Sequence, residues 1–444
     1  MLNKQGTYLL LCIFFFCSSF AQEVTYQIDH YQHDFEACRG RLINQNVVLS
    51  YYKGLPLFLL KSSFTNIEPF LTEELYTSFS KIQQVLQRRG IALVVVPIPP
   101  RPLVLADYLD QTKAIQASYQ PAEAEAQYMA FIQNLQLRGI VAVDVLSPLG
   151  AYQGDDPLNT LLERHWTPVG AMLSARAVTN EIKAKFQTML VTLEPTFFQN
   201  EVSGWVSRTA LLTEKINQIC HSNLTSKVLS YESISQTSSD QLFADIPIQA
   251  VAVGTSYSQP LWNFADSLKS QLAIEIINAY IPGGGMFSSI ENFFLNETFL
   301  QQDIKLLIWE FPFINLVERP SFDELIPLLA STYCEPIYDE TLNPTVTDPS
   351  LPLIVNLENK LARDLLSSPS FLKIELEDKI IRDFPILLEG DSSFAYKRFN
   401  RDLTVTNNGQ FFWELPANLG TLKSLKIYLP DTYQKSITLT FCRY

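Results

Sequence analysis

Ile248-Gln-Ala-Val-Ala-Val-Gly-Thr-Ser-Tyr-Ser258 sets an apolar run directly before a small glycine turn, and that turn before a helix-like stretch from Trp262 to Leu272. An apolar run of this kind is what a strand shows when crossover helices cover both faces of a parallel sheet. The turn that follows then lies at the sheet's carboxyl edge, where α/β folds place their sites. Ser256 is therefore the first candidate nucleophile, and amides opening the next helix are placed to receive an oxyanion. Taken alone, a Gly-x-Ser turn after a strand is an ordinary turn. What gives it chemistry stands upstream, in Glu163-Arg-His165-Trp-Thr-Pro-Val-Gly170.

The strand signal recurs outward from that stretch. Ile91-Ala-Leu-Val-Val-Val96 follows a helix end near Gln83 and runs into Pro97, Pro99, Pro100 and Pro102. A helix over Ala122 to Leu137 precedes a strand at Ile140 to Val145, and further strands are expected at Ala273 to Asn278 and Lys305 to Glu310. Strands alternating with helices predict a parallel α/β sheet.

A serine hydroxyl needs a base, usually an imidazole whose other nitrogen is held by a carboxylate. The histidines are His30, His33, His165 and His221. Only His165 has a carboxylate two positions before it and a helix start just after it. On an extended segment, Glu163 and His165 point to the same side, so the acid reaches the imidazole locally. Thr167 reads as the N-cap and Pro168 as the first turn of the following helix, a rigid mount for a base.

At 444 residues, with 47% hydrophobic and 18% charged residues, the chain has room for two folded domains and is not disordered. Lys4, the apolar run Tyr8 to Cys17 and Ser19-Phe-Ala21 form an export signal over residues 1–21, which implies a periplasmic location. Export would leave Cys38, Cys220, Cys334 and Cys442, for which three pairings exist. Pairing Cys38 with Cys220 and Cys334 with Cys442 is favoured, because each bond stays within or closes one inferred domain. No metal or cofactor is expected.

From Glu335 to Pro352 the chain is proline-rich and acidic, the composition of a linker. Beyond it, runs at Phe371 to Leu376, Asp402 to Thr406, Gln410 to Leu415, Ser424 to Leu429 and Ser436 to Phe441 predict a small antiparallel sandwich. The expected division is a catalytic domain over 22–335, a linker over 336–352 and a β-sandwich over 353–444.

As an ordered set, His165-Trp166, Val253-Gly-Thr-Ser-Tyr-Ser258, Trp262-Asn-Phe264, Gly283-Gly-Gly285 and Leu307-Ile-Trp-Glu310 resemble the alginate O-acetyltransferase family of AlgX and AlgJ. The resemblance implies an SGNH-hydrolase-like α/β domain of permuted motif order, with acid and histidine before the serine, then a β-sandwich of carbohydrate-binding-module type. It also implies two disulfides. Ser256 would be the nucleophile, His165 the base and Glu163 the orienting acid, although the family usually has Asp-x-His-Trp. Asp155 and Asp156 are the nearest substitutes. The implied activity is exported polysaccharide O-acetylation through a serine acyl-enzyme. Its partners would be a polysaccharide acceptor and an acetyl donor supplied by a membrane O-acyltransferase system. A carbohydrate acetylesterase with the same triad and a non-catalytic glycan-binding scaffold are the alternatives.

Candidate substrate contacts are Trp262 and Asn263 after the nucleophile turn, Gly284 in the glycine run, and Trp413, Arg398 and Arg401 in the sandwich. The net charge of −13 argues against nucleic acid and would repel a polyuronate. From Ser392 onward, however, seven Lys and Arg face three acids, with Phe411, Trp413 and Tyr396 nearby. That composition predicts an anion-tolerant, sugar-stacking surface.

Overall fold

Alternation along the strands divides the α/β core into two. Val94, Val96, Ala252 and Ile308 face one buried cluster, while Leu93, Val95, Val253 and Trp309 face the other. Both clusters exclude water, which is why these strands read as continuous apolar runs. In this computed structural model, which describes residues 24–235, 248–296, 302–318, 321–342, 352–358, 370–430 and 433–444, the central sheet has five parallel strands. Their order is Val141–Ala142, Ala92–Ile98, Leu306–Pro312, Ala250–Gly254 and Ile276–Tyr280. The helices Pro168–Lys185 and Phe264–Leu272 cover the first face, and Glu73–Arg88 and Pro121–Leu137 the second. The expected export signal over residues 1–21 lies outside the described residues. Among those described, no helix is long and apolar enough to cross a membrane.

Two strand boundaries differ from expectation for local reasons. The Ile140 to Val145 run keeps only Val141–Ala142, because Asp144 accepts from the amides of Leu146 and Ser147 and turns the chain into a short helix. The strand expected from Ala273 starts at Ile276, since Ala273 caps the preceding helix at φ 55°. Unforeseen in the sequence is a second, antiparallel sheet in the order Tyr26–Asp29, Thr225–Ser235, Phe198–Arg208. It matters because it carries Arg208 to the site.

Two four-stranded antiparallel sheets form the C-terminal region. One orders Glu335–Leu342, Ile437–Arg443, Ser370–Leu376 and Gln410–Glu414; the other orders Leu353–Asn356, Leu422–Ile427, Asp383–Gly390 and Phe394–Asn400. Leu372, Ile374, Phe411, Ile386, Leu388 and Leu425 fill the space between them. Asp402 to Thr406 is not a strand: Asp402 accepts from the Thr404 amide and hydroxyl and bends the chain. The linker expectation is also corrected, because Glu335–Leu342 is a strand paired along Ile437–Arg443. Phe371, Val405 and Phe412 of the sandwich join the second α/β core, Lys397 pairs with Asp323 and Glu324, and Lys81 with Glu414. The two regions therefore share a packed seam.

Disulfides join Cys38 to Cys220 and Cys334 to Cys442, closing loops 182 and 108 residues long. The second lies at the seam. Loops of this length restrict the unfolded chain, so replacing Cys334 and Cys442 together by serine should cost about 2–4 kcal/mol. Denaturant unfolding of the oxidised protein and the double variant measures this, and coincident curves would contradict it.

Candidate active site

The turn carrying Ser256 exists because Gly254 has no side chain. A Cβ there would lie 2.3 Å from Ser258 Oγ and 2.5 Å from Glu310 Oε2. The chain instead leaves the strand in a single tight turn, Ser256–Ser258, in which the Tyr257 amide donates to Thr255 Oγ1 and the Ser258 amide to the Thr255 carbonyl. The helix expected over Trp262 to Leu272 spans Phe264–Leu272, after a second short turn and Asn263 at φ 63°. The amides that follow Ser256, those of Tyr257, Ser258 and Gln259, are used within the turn and not available to an oxyanion. Among the described residues, the Ser256 amide has no acceptor.

Residues 161–165 form a bent loop rather than the extended segment expected from their spacing. The loop is fixed at both ends. Thr160 donates to the His165 carbonyl from its amide (2.9 Å) and its hydroxyl (3.0 Å), and Thr167 caps the helix Pro168–Lys185. Trp166 Nε1 donates to the Tyr257 carbonyl at 2.9 Å, and the Tyr257 hydroxyl donates to the Arg164 carbonyl. These two bonds lock the histidine loop to the serine turn.

Held this way, Glu163 Oε2 lies 2.9 Å from His165 Nδ1, and His165 Nε2 lies 2.7 Å from Ser256 Oγ. Glu163 is 2% exposed and His165 7%. Burial pushes the Glu163 carboxyl up, but the hydrogen bond and charge of His165 and the Arg208 guanidinium outweigh it and hold Glu163 below the usual carboxylate range. Burial pulls the His165 imidazole below its ordinary value, against the opposing pull of Glu163. The acid is therefore ionised and the imidazole neutral at pH 7. An ionised carboxylate only accepts, so Nδ1 carries the proton and Nε2 presents its lone pair to the Ser256 hydroxyl.

Arg208 is the site residue that sequence reasoning missed. It comes from the mostly exposed strand Phe198–Arg208, whose residues lack the alternation that marks a strand. Its Nε donates to Glu163 Oε1 at 2.8 Å, and its guanidinium lies 5.2 Å from the centre of the Trp262 ring. Trp262 in turn stacks on His165 at 5.1 Å and donates to the Ser256 carbonyl at 3.0 Å.

The remaining candidates separate. Asp156 is bound to Thr25 and Asp155 pairs with Lys53, so neither substitutes for Glu163. Trp262 and Asn263 are buried, and Trp262 acts as the floor under His165 rather than as a face for substrate. Gly284 and Arg401 line a cavity of about 350 Å³ at the seam, which includes neither Ser256 nor His165. Arg401 is turned inward, bound to Asn407 and to the Gln410 carbonyl and stacked on Phe411. Trp413 and Phe411 are 3% and 1% exposed in the sandwich core, which excludes sugar stacking on either. Arg398 is exposed but paired with Asp383, and Lys397 and Lys426 are paired as well. Among the described residues, three of the seven cations after Ser392 are thus held in ion pairs.

Residues 57–313 match the family model described as "SGNH hydrolase-like domain, acetyltransferase AlgX". The chain is 26% identical over 318 residues to the alginate biosynthesis protein AlgX of Pseudomonas putida, covering 69% of this chain and 65% of that protein. It is 25% identical to a probable alginate O-acetylase AlgJ of Pseudomonas syringae pv. tomato, covering 52% of this chain and 59% of the relative. The chain thus spans somewhat less than two thirds of both proteins. The structure of AlgX from Pseudomonas aeruginosa superposes with a TM-score of 0.71 at 23% identity, covering 84% of this chain and 89% of that one, which establishes a common fold.

The charge of Arg208 helps to hold the His165 imidazole neutral. Arg208→Gln should therefore raise the His165 pKa, read from an NMR titration of the ring, and lower ester turnover roughly tenfold by loosening the acid. An unmoved titration would contradict the contact.

Proposed function

The chain belongs to the AlgX/AlgJ family of SGNH-hydrolase-like acetyltransferases, and from that premise we propose that it is an exported polysaccharide O-acetyltransferase working through a Ser256 acyl-enzyme. The observation that carries the reading is the continuous contact from Glu163 through His165 to Ser256. Glu163 keeps contact with His165 from a bent loop, while Arg208 holds its other oxygen. Complete contact of this kind favours catalysis over a purely glycan-binding role.

In the first half-reaction, Ser256 Oγ attacks the acetyl carbonyl of the donor while His165 Nε2 takes its proton; the proton then goes to the departing donor group. In the second, a sugar hydroxyl gives its proton to Nε2 and attacks the acetyl carbon, forming the sugar ester, and Ser256 recovers the proton. Glu163 stabilises the imidazolium in both halves. The Ser256 amide is the donor left for the oxyanion. The relatives are named for alginate biosynthesis and alginate O-acetylation, and an alginate-like polyuronate is accordingly the assigned acceptor. A membrane O-acyltransferase system is the assigned source of acetyl groups.

Residues 1–21 are assigned to export into the periplasm, 22–335 to the catalytic domain and 353–444 to a module that holds the glycan. The face we assign to the glycan is the outer side of the strand Phe394–Asn400. Phe394 and Tyr396 are 71% and 59% exposed there, beside Arg398. Exposed rings two positions apart on a strand share a face, and such rings stack on the apolar side of a sugar.

The test is purified protein with an activated acetyl ester and a panel of oligosaccharides, with products read by mass. Acetylated sugar supports the proposal, whereas free acetate alone with every acceptor would make the enzyme an esterase. Ser256→Ala should lower turnover by roughly three orders of magnitude or more. Glu163→Asp should retain far more activity than Glu163→Gln, which cannot stabilise the imidazolium. Replacing Phe394 and Tyr396 together by alanine should raise KM for long glycan more than for a disaccharide. Equal effects on both acceptors would remove the glycan from that face.

A further inference from the structure

Glu310 lies in the central strand Leu306–Pro312 with no exposed surface, and no step above uses it. Its Oε2 accepts from the Thr255 amide and from Ser258 Oγ, both at 2.8 Å, and its Oε1 accepts from Thr255 Oγ1 at 2.9 Å. Thr255 Oγ1 also accepts from the Tyr257 amide. One carboxylate thus ties down residues on both sides of Ser256. Other holds on the turn are Trp262 Nε1 on the Ser256 carbonyl, Asn278 Nδ2 on the Ser258 carbonyl, Trp166 Nε1 on the Tyr257 carbonyl and the Tyr257 hydroxyl on the Arg164 carbonyl.

We propose that Glu310 is a positioning residue for acyl transfer, its ionised carboxylate setting the Thr255–Ser258 turn so that the Ser256 hydroxyl meets His165. This rests on the reading of Ser256 as the nucleophile. The ionised carboxylate accepts from all three donors as they stand, whereas a proton on either oxygen takes away one acceptor site and adds a donor. A proton on Oε2 would point at Ser258 Oγ and one on Oε1 at Thr255 Oγ1. Either hydroxyl must then reverse, leaving its own hydrogen without an acceptor in a water-free site and loosening the turn. A small displacement of a reacting oxygen is enough to lower the rate strongly.

Among the described residues, no cation pairs with this charge. The neighbouring strands present Val94, Val95 and Val96 on one side and Ala252, Val253 and Gly254 on the other. From the turn, Thr255 and Ser258 face Glu310, and Tyr257 is the titratable group that feels its charge. Burial pushes the Glu310 carboxyl up to about 7, against the pull of Ser258 and Thr255. Because the folded value is raised above the unfolded one, the protonated group favours the fold fully at acid pH. That contribution is lost as pH rises through about 7. Above about pH 7 the ionised form is thus present at the expense of stability.

Turnover of a small acetyl ester should accordingly fall as pH drops through about 7, above the range where the lowered His165 titrates. Glu310→Gln copies the shape of the protonated acid. It should lower kcat roughly ten- to a hundredfold with little change in KM, remove the limb near 7 and leave only the lower limb of His165. Its Tm at pH 8 should equal or exceed that of the natural protein, whereas a merely structural role would lower Tm. Ser258→Ala removes one donor from the carboxylate and should move the limb to higher pH, an independent reading if Glu310→Gln does not fold. A limb that stays in place in Ser258→Ala, or survives in folded Glu310→Gln, would overturn the proposal. Absence of any turnover in the natural protein would instead overturn the reading of Ser256.

Discussion

A neutral imidazole with its proton on one chosen nitrogen is the constraint on which the site depends. His165 meets it because Glu163, ionised by its contacts with His165 and Arg208, can only accept and so fixes the proton on Nδ1. Nε2 is then free to face Ser256 at 2.7 Å. Burial supplies the other half, holding the imidazole below its ordinary pKa so that it is unprotonated at neutral pH. Trp262 beneath the ring and Tyr257 at its edge keep it from turning. Orientation and protonation state thus come from the same few contacts.

Those contacts come from three separate parts of the chain. The serine turn is an outcome of the parallel sheet, the histidine loop of the helix cap at Thr167, and Arg208 of an antiparallel sheet whose Tyr26, Ile28 and Val228 join the first α/β core. Trp166 and Tyr257 join the first two by hydrogen bonds to backbone carbonyls. The Trp166–Tyr257 bond is buried, so breaking it leaves a polar group unpaired. The sandwich is bound into this arrangement by apolar packing, the seam ion pairs and the Cys334–Cys442 bond. The sandwich is therefore fixed against the α/β region rather than loosely tethered to it.

Much of this was legible in the sequence where local rules govern. The strand Ala250–Gly254, the Ser256 turn, the Thr167 cap and the proximity of Glu163 to His165 all follow from short-range patterns. What was not legible depended on long-range packing. Trp413 looks like a sugar platform by composition, but the alternation of Gln410–Glu414 turns it into the core, and the exposed rings belong to Phe394 and Tyr396. Arg398 and Lys397 look like free cations until the partners that neutralise them, Asp383, Asp323 and Glu324, are brought in from other elements. The strand Glu335–Leu342 reads as linker because its pairing partner lies about a hundred residues away at the end of the chain.

The central claim is that Ser256 carries the acetyl group. Mixing the natural protein briefly with an activated acetyl ester, quenching in acid and sequencing its peptides by mass spectrometry tests this directly. The account predicts a single acetyl ester on Ser256 that disappears when a polyuronate oligosaccharide is added and reappears on the sugar. Acetyl trapped on another side chain, with Ser256 unmodified while turnover proceeds, would contradict it.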